Sequence, residues 1–383
     1  MKTLFHFSLA MVIILSAAST AKAQSIVVAG NTGNGSIKVS VIRGKSYTVS
    51  GYLKDLAYDS SGPWVLSCSS YNMWGSYTVY HNQEIKKKYT TEDGGEFSSM
   101  AMRRKGDDII IAGTIARRFN KKGFEAKMFG EVNFRRKFTT EYERKSLKRE
   151  RFYGFVSADG TKTSVPKYDV GAKYTDSEVF HIFACDYEWG NIFATGWGER
   201  EYTHNTGYTN YLVRRCARVW KNGEIDWEQF QNRTSAAYSI NVVEGHVLTS
   251  GHNRGQAWGW VQNKDVISMK KDAPISSEAV IKLTKYGDNF KRLCVSDGKL
   301  YSAEASRTET TLQPVSGLPG YKFYDVVAYP QDMVFYAVCH NPGENELEVW
   351  AIPAKGNTPT KVGATALNGI ETGPNAVIKI ACK

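Results

Sequence analysis

The stretch RRCARVWKNGEIDW (residues 214–227) alternates apolar and polar residues up to Trp220, reverses at Lys221-Asn222-Gly223, and alternates again. Asn-Gly suits a two-residue hairpin turn, because both residues tolerate positive φ. The stretch therefore predicts two antiparallel strands with an aromatic residue just before the turn. Looser copies occur elsewhere, as KVSVIRGKSYTV (38–49), QAWGWVQNKDVISM (256–269) and LEVWAIPAKGNTPTKV (347–362).

Upstream of such pairs stands an apolar run ending in glycine or a small residue. It recurs seven times: SIVVAGN (25–31), WVLSCSS (64–70), IIIAGT (109–114), IFATGW (192–197), VLTSGH (247–252), LYSAEA (300–305) and VFYAVC (334–339). Six copies follow another apolar run across a short polar turn: YLKDLAY (52–58), FSSMAM (97–102), VFHIFAC (179–185), AYSINVV (237–243), KRLCV (291–295) and FYDVVAY (323–329). The first copy has no such partner, while the run NAVIKIACK (375–383) has no follower. A ring in which the C-terminal strand completes the first unit matches the two missing halves and leaves no open sheet edge. The predicted fold is all-β: a seven-bladed β-propeller of four-stranded antiparallel blades. The alternatives are six blades, or a two-domain β-sandwich array.

In this pattern the chain resembles secreted propeller-repeat proteins of Bacteroidetes, whose units read Val-Tyr-Val-Ala-Gly and then Ala-x-x-Trp-Lys-Asn-Gly. Residues 217–223, Ala-Arg-Val-Trp-Lys-Asn-Gly, match closely; IFATG, VLTSG and IIIAG match loosely. The resemblance implies an architecture and an exported location. It implies no activity and carries no catalytic residues.

Residues 1–23 read as a secretory signal: Lys2, an apolar run over 4–18, and Ala21-Lys22-Ala23 before Gln24. Residues 24–383 then form one propeller domain, expected to be exported to the periplasm or beyond, without a membrane span, and monomeric. The six cysteines, Cys68, Cys185, Cys216, Cys294, Cys339 and Cys382, are scattered without metal-site spacing. They read as buried thiols, with one or two disulfides as the alternative. No metal or other cofactor is expected.

With strands lettered A to D outward from the axis, the glycine-ended run is strand B and the tryptophan-ended run strand C. Two long insertions are then expected between B and C, in the third blade (residues 117–150) and the fourth (197–214). Residues 117–151 hold 13 Lys or Arg and 5 Glu, so the chain's excess of positive charge concentrates there. Arg135, Arg136 and Lys137 are the candidate contacts for an anionic glycan or an acidic protein surface. No nucleic acid is expected, since no reader motif accompanies the charge. The alternative is a solvated hairpin. In the second insertion Trp197, Tyr202, His204, Tyr208 and Tyr211 suggest a stacking platform for sugar rings, or simply the composition of an exposed hairpin. His252, His340 and Glu304 are the residues on which a catalytic site at the channel mouth would have to rest. The expected function is a non-catalytic binding propeller holding a glycan or protein on the loop face of blades 3 and 4. The alternative is a carbohydrate-active hydrolase or lyase at the channel mouth.

Overall fold

A computed structural model describes residues 25–72, 74–119, 123–146, 155–156, 162–163, 180–205, 209–229, 234–262, 264–268, 273–305, 311–356 and 358–383. The signal segment expected over 1–23 lies outside them. The strands assemble into seven antiparallel blades with A-B-C-D order, a β-propeller. Blade 1 takes strand A from the C-terminus: Ile378–Cys382 pairs with strand B, Ile26–Thr32, from Ile26↔Cys382 to Gly30↔Ile378. The inferred closure is therefore present.

One blade is out of phase with the expectation. In blade 6 strand A is Ile275–Lys282, strand B Phe290–Ser296 and strand C Lys299–Ala305. The run 291–295 is thus strand B rather than A, and 300–305 strand C rather than B. Strand D of this blade is only Gln313–Pro314. The count of seven survives, because the missed strand A, ISSEAVIK, is masked by its own polar residues.

Strands that pack on both faces are buried without alternation. Strand B of blade 1 is buried at six successive positions for this reason. The core is divided into seven apolar clusters, one between each pair of adjacent blades. Trp220 illustrates the role of the tryptophan before the turn. It is buried between blades 3 and 4, 5.6 Å from the Phe180 ring, while Asn222 and Gly223 take φ of 51° and 88°. All six cysteines are unpaired, and burial pushes the thiols of Cys216, Cys339 and Cys382 up to about 12.

A ring of side-chain hydrogen bonds ties each blade to the next around the axis. Asn31 Oδ1 accepts from Leu53 N (2.6 Å), Asp55 Oδ2 from Met102 N (3.0 Å), and Ser99 Oγ from Ile182 N (3.0 Å). Asp186 Oδ2 accepts from Val242 N (2.6 Å), and Ser239 Oγ donates to the Glu278 carbonyl (3.3 Å). Ser277 Oγ donates to Asp325 Oδ1 (2.5 Å), and Asp325 Oδ2 accepts from Ile380 N (3.0 Å), which closes the circle. Asp55, Ser99, Asp186 and Asp325 on A strands, with Asn31 on strand B of blade 1, answer inner amides of the neighbouring blade, groups that are costly to bury unpaired.

The A–B connection of blade 2 is held by one carboxylate. Asp59 accepts from Ser61 N (2.7 Å), Ser61 Oγ (2.6 Å), Gly62 N (3.0 Å) and Trp64 Nε1 (2.6 Å). Burial raises its pKa, but these donors outweigh burial and hold it at about 2. The folded value lies below the unfolded ~3.9, so this stabilisation is complete above pH ~4 and is lost as pH falls through about 2. Asp59→Asn is expected to remove that part of the acid dependence. Urea midpoints at pH 2, 3, 4 and 7 for both proteins check it, and parallel curves would refute it.

Candidate functional site

The two expected insertions are strands. In blade 3, strand B runs Asp108–Phe119, strand C Gly123–Val132 and strand D Arg135–Thr139, and Glu143–Ser146 adds a further strand against residues 123–126. Residues 117–150 are therefore not one B–C loop. In blade 4, strand B (Asn191–Asn205) and strand C (Thr209–Lys221) stay paired as far as Asn205↔Thr209. Strand B has 12 and 15 residues in these blades, against 6–8 in the other five. At ~3.3 Å per residue the blade 4 hairpin reaches roughly 20 Å further than its counterparts. Both hairpins leave the ring on its B–C face.

Three cations of the basic run, Arg117, Lys127 and Arg136, are neutralised by acidic partners. Arg117 pairs with Glu125 (2.5 Å), Lys127 with Asp93, and Lys87 with Glu131 (2.9 Å). Arg136 donates to both carboxylate oxygens of Glu92 and lies 3.8 Å from Glu131. The Tyr142 ring sits under Arg117 (4.2 Å) and Lys127 (5.1 Å). Arg135, Arg136 and Lys137 are exposed, but they lie on strand D, the outer edge of the blade. Proximity in sequence was a poor guide here, because acidic partners come from the neighbouring blade and from the opposite strand.

Trp197 is a correction as well. It is buried, opposite Ala217 at the root of the blade 4 hairpin, with Arg215 over its ring at 4.2 Å. Its face is used to hold Arg215 and is not offered to a ligand. Tyr202, His204 and Tyr211 occupy strand positions opposite Leu212, Asn210 and Thr203 along the same hairpin. Tyr208 lies outside the described residues.

The structure does assemble an aromatic band at this root. Trp197 stacks with His181 (6.1 Å, interplanar 12°), His181 meets Phe183 (4.7 Å), Phe183 meets Tyr238 edge-on (4.8 Å), and Tyr238 meets His252 (5.7 Å). Phe183 and Tyr238 come from strand A of blades 4 and 5 (Phe180–Glu188 and Ser235–Val243) and line the central channel. Each is the extra residue of a β-bulge, between Ile182 and Ala184 and between Ala237 and Ser239. Bulges re-aim a side chain, and here they turn two aromatics to the axis. The same irregularity recurs in strand A of blades 2, 3, 6 and 7. Sequence reading missed Phe183 and Tyr238, although each interrupts the alternation of its run. Burial raises the Tyr238 pKa and the positive charge of Arg215 opposes it. Burial also lowers the His252 pKa, and its Nδ1 accepts from Gly255 N (3.2 Å), so the ring is neutral at pH 7.

The channel itself, a cavity of about 480 Å³, is lined by strand A of all seven blades. Asp325 on its wall and the buried Asp186 behind it are both engaged. Asp186 lies 3.7 Å from Arg103 and 3.4 Å from Lys105, and Asp325 lies 3.9 Å from Lys379, in addition to the amides they hold. The attraction of Asp325, aided by Asp55, raises the Lys379 pKa against burial; burial raises that of Asp55. Arg103 also donates to Asn241 Oδ1 (3.0 Å) and Lys105 to the Val242 carbonyl (2.6 Å), reaching past blade 4 to blade 5. Glu304 is on strand C of blade 6, exposed and 3.4 Å from Lys291, not at the mouth. His252 and His340 end strand B of blades 5 and 7, with blade 6 between them. Among the described residues no group of three His, Cys, Asp or Glu is placed to hold a metal ion. No helix there is long and apolar enough to cross a membrane.

No family model and no curated protein matches the chain. Solved structures with a similar course include the β-propeller domain of Cps50 (Swd1) from Myceliophteria thermophila, at 10% identity and TM-score 0.44, covering 85% of this chain and 93% of that one. A protein from Lactobacillus plantarum aligns at 10% identity and TM-score 0.45 over 94% and 99% of the two chains. A Synechocystis apocarotenoid oxygenase variant aligns at 7% identity and TM-score 0.48 over 93% and 92%. At such identities the likeness concerns the fold alone.

Proposed function

We propose that this chain is an exported, non-catalytic binding propeller that holds an anionic glycan on the B–C face, at the root of the blade 4 hairpin. The observation that carries this reading is the edge-on pair Phe183 and Tyr238 at the channel, within an aromatic band whose buried Trp197 holds the exposed Arg215. Aromatic faces pack against the C–H faces of sugar rings, and a guanidinium pairs with a carboxylate or sulfate in a fixed fork. Two long hairpins on a rigid ring provide the raised surface on which binding commonly sits. The structural engagement of the channel carboxylates supports the non-catalytic reading over a hydrolase.

Affinity electrophoresis through gels holding polygalacturonate, alginate or neutral dextran tests it. The wild type is expected to be retarded by an acidic polysaccharide, less so at 0.5 M salt, since screening at that ionic strength shortens electrostatic reach to a few ångströms. Arg215→Gln and Tyr238→Ala should each lose most of the retardation. Equal mobility of all three proteins in every gel would sink the reading, and retention by an acidic protein alone would replace the glycan with a protein partner.

A further inference from the structure

On the opposite face of the ring, where the A–B and C–D turns lie, a cleft of about 360 Å³ opens between blades 4 and 5. That volume falls at the lower end of small-molecule sites, ~300–1,000 Å³. Trp189, Phe193, Trp227, Asp226, Lys221 and Gln262 line it.

Two of these residues stand where the fold elsewhere uses a different side chain. The A–B turns of blades 5 and 6 begin with Glu244 (φ 49°) and Asp297 (φ 51°); blade 4 begins its turn with Trp189 at φ 49°. A bulky residue at positive φ is a genuine outlier, and this one leaves its indole 75% exposed. The C–D turns of blades 2, 3 and 4 begin with Asn82, Asn133 and Asn222, at φ of 50–57°. Asn133 and Asn222 use Oδ1 to accept from the Ile109 and Ile192 amides, both at 2.9 Å. Blade 5 has Gln262 at φ 53°, and among the described residues it makes no such bond. Backbone strain of this kind persists where the surroundings impose it, and it gathers at ligand sites.

The cleft is also preset. Glu188 accepts from Glu244 N (2.7 Å) and Gly245 N (2.5 Å), fixing the turns of blades 4 and 5 to each other. Gly245 lets the indole lie flat on the backbone, since a Cβ there would stand 3.0 Å from the Trp189 ring. Trp227, 8% exposed, is packed into the wall of the cleft. Asp226 is the extra residue of the strand D bulge, between the pairs Trp220↔Ile225 and Val219↔Trp227.

We propose that this cleft is a second binding site and takes a neutral sugar ring, stacked on Trp189. Its hydroxyls meet the Asp226 carboxylate and the Gln262 amide. Sugar hydroxyls both donate and accept, which suits one acceptor and one mixed group. Lys221 offsets Asp226, and Glu188, although bonded to backbone amides, adds a negative charge, so the cleft disfavours an anionic sugar. The site lies on the face away from Arg215 and does not depend on the anionic ligand proposed there.

The test is saturation-transfer NMR and calorimetry with neutral oligosaccharides of glucose, galactose, mannose and xylose. At least one is expected to bind with a dissociation constant below ~5 mM, and Trp189→Ala should weaken it roughly tenfold. The thermal midpoint should be unchanged, because the indole is largely in solvent. Tyr238→Ala, on the other face, should leave this binding intact. The proposal is overturned if no panel member binds, if Trp189→Ala binds as tightly as wild type, or if Tyr238→Ala abolishes the same interaction.

Discussion

Deleting residues 377–383 is expected to unfold the whole ring rather than trim one blade. The last strand contributes Ile378 and Ile380, 2% and 4% exposed, to the cluster between blades 7 and 1. Fully burying such a side chain stabilises by about 1.5–3 kcal/mol. The strand also supplies the ladder from Ile26 to Gly30, the amide that Asp325 Oδ2 accepts, and Lys379 beside Asp325. Without it, Asp325 loses the Ile380 amide and Lys379 and keeps the Ser277 hydroxyl, and the buried strand Ile26–Thr32 becomes an open edge. Together these losses amount to roughly 5 kcal/mol or more, a large share of the ~5–15 kcal/mol by which domains are stable. Circular dichroism and urea unfolding check it: the truncated chain should show no cooperative transition at 25 °C. A peptide of residues 375–383 added in excess should restore one. A cooperative transition within a few degrees of wild type would show that the closure is dispensable.

The second large effect concerns Glu278 and Arg292, whose side chains are both fully buried and paired. Glu278 is on strand A of blade 6 and Arg292 on strand B. Arg292 further donates to the Thr249 carbonyl (2.8 Å) in blade 5, and Cys294 Sγ lies 3.5 Å from Glu278. Burial pulls the Arg292 pKa down but the Glu278 carboxylate overrides it, so the net direction is up and the cation persists at any ordinary pH. Removing one member leaves a buried charge without its partner, at a cost of about 3–5 kcal/mol. Glu278→Leu alone, or Arg292→Met alone, should therefore lose that much in denaturant titrations. The double variant should lose far less than the sum, because replacing a buried pair by apolar residues is often neutral. Additive losses would show that the two side chains act independently, through packing.

These expectations differ in how far they were legible before the fold was known. The repeats, the turn at Asn222-Gly223 and the complementary half-blades at the termini sufficed for seven blades and for closure. Hairpin signals are local, so a chain can carry them in plain order. Phase failed where local chemistry was ambiguous: ISSEAVIK reads as polar because Ser277 and Glu278 face bonding partners in neighbouring strands.

The candidate sites divide along the same line. The sequence alone determined that blades 3 and 4 carry the long B–C extensions, where the positive charge concentrates, and that His252 stands near the end of a strand. Only the tertiary structure decided what those residues do. It paired Arg136 with Glu92, 44 positions away in the chain, and buried Trp197 beneath Arg215. It used bulges to turn Phe183 and Tyr238 to the axis, and set Trp189 across from Trp227 and Gln262 in one cleft. The physical reason is that a blade is built from short-range pairing, which periodicity records. A site in a propeller is built between blades, where residues meet through the angle of the ring and through bulges, which show in the sequence only as a break in alternation.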